Sequence, residues 1–137
     1  MTMTWDRIIQ GGLLVTPEKV YEADVCVQDG KIAKICAPGT EREACEVVDA
    51  AGKYVFPGFI DTHVHSRDGV NGAHYKEDFR HSSMSGAVSG VTTIYERPNS
   101  NPAVYNVEKL QSLVDCLAPK AYTDYAVWGL CLGELNN

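Results

Sequence analysis

His63 and His65 are separated by one residue, Val64. On a β-strand, residues i and i+2 point to the same face, so two imidazoles can meet there. Neutral imidazole nitrogens suit zinc and other borderline cations. The spacing alone leaves a second reading open, two exposed or hydrogen-bonded histidines. Their position favours a metal, because α/β folds place their sites at the C-terminal ends of parallel strands. Arg67 stands two residues further on. Its guanidinium can hold a carboxylate in a two-pronged fork, or it can be a rim arginine paired with Asp68 or Glu77. Asn99 lies in Arg97-Pro98-Asn99-Ser100-Asn101-Pro102, stiffened by two prolines. Its amide can donate to a substrate and accept from it, or bond its own backbone as turn residues do. Asp61 can orient an imidazole or make a structural bond. His74, His81 and Cys131 have no evident chemical partner, and no phosphate-binding glycine motif occurs.

These side chains need a frame. Residues 54–65 read as a strand interrupted early by Pro57-Gly58. Residues 75–90 have helical apolar spacing, and residues 91–95 are a β-branched strand. Val107, Leu110, Leu113, Val114 and Leu117 mark a second helix, with Asn106 as N-cap and Pro119 as stop. Residues 125–132 form a third strand. Strands alternating with helices imply a parallel sheet with right-handed crossovers. Before this part, Gly11-Gly12 suggests a bulge in a first strand. Residues 22–28, Asp29-Gly30 and residues 31–35 form a strong hairpin signal. Pro38-Gly39 is a turn, and residues 45–49 are one more short strand. The first fifty residues therefore read as a small antiparallel β unit. The expected division is residues 1–53 and 54–137, with the boundary in the stretch from Gly52 to Pro57.

The chain has 137 residues, 12 Lys plus Arg against 18 Asp plus Glu, and a net charge of −6. Without a basic run, neither a nucleic-acid nor an anionic-membrane partner is expected. No apolar stretch reaches the length of a membrane span, and no signal peptide is evident. The 5 cysteines form no CxxC pair, which fits reduced thiols in a cytoplasmic protein.

The run Pro57-Gly58-Phe59-Ile60-Asp61-Thr62-His63-Val64-His65 resembles the signature of the amidohydrolase superfamily at the end of its first barrel strand. Further blocks follow the dihydroorotase pattern: Ser66-Arg67-Asp68, Tyr75-Lys76-Glu77-Asp78-Phe79, Gly90-Val91-Thr92-Thr93-Ile94 and Pro98-Asn99-Ser100-Asn101-Pro102. The hairpin at Asp29-Gly30-Lys31-Ile32 looks like the N-terminal β-sandwich piece of cyclic amidohydrolases. The resemblance covers nearly the whole chain. It departs at Asp68-Gly69-Val70-Asn71-Gly72, where Glu-Pro-Gly is usual, and at Arg97, where the family commonly has Met. Tyr125-Ala126-Val127-Trp128-Gly129 is also compatible with allantoinase-like members.

The resemblance implies an α/β fold: the first three strands of a (β/α)8 TIM barrel, preceded by part of a small β-sandwich. It implies hydrolysis of a ring C–N amide bond with one or two zinc ions. In this likeness His63 and His65 are ligands of the more buried metal, and Arg67 and Asn99 match positions that hold a substrate carboxylate. The best match is dihydroorotase, an enzyme of pyrimidine biosynthesis, homo-oligomeric when complete. Allantoinase, hydantoinase or dihydropyrimidinase, and a non-catalytic scaffold or partner subunit are the alternatives. A barrel of this type needs about 250 residues. The chain is therefore expected to be an N-terminal fragment, with the catalytic base and remaining ligands beyond Asn137. Alone it is expected to be inactive and, through its open edge strand, prone to self-association.

Overall fold

The computed structural model describes residues 4–68, 75–98 and 103–130. They form two compact units, Met1–Pro57 and Gly58–Asn137.

In the first unit, β1 (Trp5–Val15), β2 (Val20–Gln28), β3 (Lys31–Cys36) and β4 (Ala44–Asp49) lie in the order β3-β2-β1-β4. The short β5 (Tyr54–Val55) also pairs with β1. Asp29 (φ 52°) and Gly30 (φ 71°) are both left-handed, as a tight two-residue hairpin requires. The anticipated bulge lies in β1, where the register with β2 shifts between Ile9 and Gly12. Gly11 there has φ +72°, and a Cβ on Gly12 would lie 2.5 Å from Val55 Cγ2. Asp24 holds this irregularity. Its carboxylate is fully buried and accepts from Gly11 N (2.8 Å) and Gly39 N (2.7 Å).

The expectation of an antiparallel unit is corrected in one respect: β4 and β5 run parallel to β1. Strand β2 occupies one edge of the 11-residue β1. The other edge is shared, with β4 along residues 5–10 and β5 beside Leu13 and Leu14. Residues 37–43 return the chain to the start of β1, where Trp5 N donates to Glu43 O (2.9 Å). Strand β4 therefore sets off in the direction of β1. Trp5, Ile8 and Cys26 form one apolar cluster, and Leu14, Ala23 and Val25 form another.

In the second unit, β6 (Phe59–Val64), α1 (Phe79–Val88), β7 (Val91–Glu96), α2 (Val107–Leu117) and β8 (Asp124–Val127) alternate as expected. The three strands are parallel in the order β6-β7-β8. Helix α1 starts at Phe79, later than the spacing suggested, because Asp78 caps it by accepting from His81 N (2.8 Å). Asn106 caps α2 as expected, accepting from Lys109 N (2.9 Å). Pro119 cannot continue that helix, which tightens into a 3-10 turn over Ala118–Lys120. Phe79, Ile94 and Leu117 form the core under the helices, and Val64, Leu113, Tyr125 and Val127 pack around it. Serine-rich α1 is anchored through Ser83, whose buried hydroxyl donates to Phe79 O (2.7 Å) and accepts from Tyr122 N (3.3 Å).

Candidate metal centre at the strand ends

Val64 packs into the core beneath the helices. Its neighbours His63 and His65 therefore face the opposite side of the sheet. Their Nε2 atoms are 3.2 Å apart, and the rings meet edge to face at 5.1 Å between centroids. Two nitrogen ligands at about 2.0–2.1 Å from a tetrahedral ion stand about 3.3 Å apart. The pair fits the span of two ligands on one ion. Among the described residues, no group of three or more His, Cys, Asp or Glu side chains is placed to hold a metal.

The backbone beneath the pair is fixed from both sides. Asp61 is exposed, and its Oδ1 accepts from His63 N (3.0 Å), so it orders the main chain at His63. Ser66 N donates to both oxygens of Glu96 (3.1 and 3.2 Å). Glu96 is 5% exposed. Burial pushes its carboxyl above the usual range, while the Ser66 hydrogen bonds and the nearby His65 pull it back. Arg97 N donates to Val64 O (2.9 Å), and Trp128 N donates to Glu96 O (3.0 Å). These bonds extend the ladder past the strands and hold the three ends level.

Arg67 has φ 63°, so the chain has turned and the side chain belongs to the rim loop. Asp68 does not serve as its partner. The Asp68 carboxylate accepts from Lys120 Nζ (2.8 and 2.9 Å) and from Phe79 N (3.1 Å). Burial disfavours the Lys120 ammonium, but the hydrogen bond and charge of Asp68 outweigh it and raise its pKa. His81 is exposed and pairs with Asp78 (2.7 Å). Asn99, His74 and Cys131 lie outside the described residues.

Sequence reasoning overlooked an aromatic group on the same side of the sheet. Ile94 and Glu96 are buried on the helix side, so Tyr95 faces the other way. Its ring lies 5.9 Å from that of Trp128, and the Arg97 guanidinium lies 5.4 Å from the Trp128 centroid. The alternation within residues 91–96 carried that signal.

No protein-family model matches the chain. Among curated proteins, it is 36% identical over 131 residues to a D-hydantoinase of Geobacillus stearothermophilus, spanning 96% of this chain and 27% of that protein. It is 38% identical over 113 residues to a dihydroorotase of Streptococcus pneumoniae serotype 4, spanning 81% of this chain and 26% of that protein. An allantoinase of Bacillus velezensis is 36% identical over 128 residues, 93% of this chain and 28% of that protein. The solved L-hydantoinase of Arthrobacter aurescens superposes with a TM-score of 0.84 at 34% identity, covering 92% of this chain and 28% of that structure. The chain thus spans about a quarter of the length of these relatives. No helix among the described residues is long and apolar enough to cross a membrane.

Proposed function

We propose that this chain, which belongs to the cyclic amidohydrolases of the amidohydrolase superfamily, supplies part of the active site of a metal-dependent hydrolase that opens a ring C–N amide bond. The observation that carries this reading is the His63–His65 pair, with its Nε2 atoms 3.2 Å apart at the end of a parallel strand. We assign both histidines as zinc ligands and place the remaining ligands outside the described residues. Bound zinc would supply Lewis-acid activation of the ring carbonyl and of the attacking water.

The chain's own residues do the rest. Asp61 fixes the backbone at His63, and Glu96 fixes it at Ser66, so the two imidazoles converge before any ion arrives. Arg67, on the rim, is assigned to hold a substrate carboxylate, and Asn99 is assigned to help it. That pair points to dihydroorotate as the ring and to a dihydroorotase. A neutral hydantoin-type ring is the second reading, favoured by the likeness to the D- and L-hydantoinases.

The test is ring opening by the full-length zinc-loaded protein, with dihydroorotate and hydantoin as substrates. Both His63→Ala and His65→Ala should reduce turnover below about one-hundredth of wild type. Arg67→Met should impair dihydroorotate far more than hydantoin. Undiminished turnover in both histidine variants would refute the assignment.

A further inference from the structure

Arg97 sits one residue past β7, with its side chain on the side of the sheet away from the helices. Its position is set twice. Its backbone N–H donates to Val64 O at 2.9 Å, and its guanidinium lies over the Trp128 ring at 5.4 Å. Trp128 is itself fixed through its backbone bond to Glu96 O and its contact with Tyr95. A guanidinium carries five N–H donors in a planar fork that matches a carboxylate. Among the described residues, Arg97 makes no side-chain hydrogen bond or ion pair, and its guanidinium is held by stacking on Trp128. The nearest carboxylate along the chain, Glu96, is buried on the opposite side and engaged by Ser66. Stacking on an aromatic face leaves the edge of the guanidinium open, and that edge is where carboxylates bind.

We infer that Arg97, seated on Trp128, is a specificity-determining residue that binds the anionic group of a cyclic amide, with the Tyr95–Trp128 pair as an aromatic wall for the ring. This inference rests on the cyclic-amide reading and adds a second guanidinium, beyond Arg67, to its substrate class. A cation at this place would favour a carboxylated ring over the same ring without its carboxylate.

The experiment compares binding of orotate and uracil, two rings that differ by one carboxylate, to the full-length zinc-loaded protein by calorimetry. The wild type should prefer orotate by at least about tenfold, a typical effect of one charge-assisted hydrogen bond. Arg97→Met should reduce that preference by at least about threefold, leaving the part due to Arg67, while uracil affinity stays within about twofold. Arg97→Lys keeps the charge but not the fork, and should retain part of the preference. It also guards against a folding defect in the Met variant. A preference unchanged in Arg97→Met, or no preference in the wild type, would overturn the inference. The two readings fail separately. Opening of neutral rings without anion preference removes the Arg97 role and the carboxylate assignment of Arg67, and leaves the ring-opening hydrolase standing. Orotate preference through Arg97, in a protein that holds no zinc and opens no ring, removes only the hydrolase.

Discussion

The two units use their polar side chains in opposite ways. In the first, the buried carboxylate of Asp24 is consumed by structure, because both its oxygens accept backbone N–H groups at the β1 bulge and at Gly39. In the second, the Nε2 atoms of His63 and His65 stand 3.2 Å apart on the side of the sheet away from the helices, and Arg97 stacks without a hydrogen-bonded partner among the described residues. The lesson is a criterion. A polar group whose bonds close on the backbone of its own unit holds the fold, whereas a guanidinium stacked on a ring, with no side-chain hydrogen bond among the described residues, is a candidate for a ligand. Glu96 and Asp68 show that the second unit has structural polar groups too, each serving the backbone or a lysine.

Removing Asp24 should have the largest effect on stability. Asp24→Ala strands two backbone N–H groups at a buried site, which costs about 2–5 kcal/mol. Urea unfolding should show this loss with zinc binding unchanged; a loss below about 1 kcal/mol would break the contrast. Asp68→Ala should cost less, about 1–2 kcal/mol, since it strands Phe79 N–H and leaves a partly exposed Lys120 that water can reach. The first unit also has a pH limit. Cys26 is fully buried, and burial together with the neighbouring Cys36 pushes its thiol from 9.0 up to about 11. The folded state then keeps a proton that the unfolded state releases, so its contribution is complete below pH 9 and is lost as pH rises from 9 toward 11. Stability measured across that window should fall, and Cys26→Ala should flatten the fall. The smallest stability change belongs to His63→Gln without metal. His63 is exposed, and its loss should stay within about 0.5 kcal/mol.

Local chemistry was legible in the sequence. Asp29-Gly30 specifies its hairpin, Asn106 its cap, Pro119 its stop, and Gly11-Gly12 its bulge, because each acts through its own backbone. Pairing at a distance was not legible. Nothing in residues 44–49 says that they join β1 in parallel, since that depends on how residues 37–43 return. Asp24 reads as one polar residue of a hairpin strand until Gly39 is seen beside it. The His63–His65 pair was evident from spacing, and their shared face follows from a single apolar residue, Val64. Tyr95 and Trp128 were missed because their meeting depends on two strands about thirty residues apart lying level at their ends.

The most direct test of the central claim is zinc binding by equilibrium dialysis against a competing chelator, comparing the wild-type full-length protein with His63→Gln, His65→Gln and Asp24→Asn. Either histidine variant should lose zinc affinity by at least about tenfold while keeping its unfolding midpoint. Asp24→Asn should lose stability while keeping its zinc. Zinc affinity that survives both histidine changes would contradict the central claim.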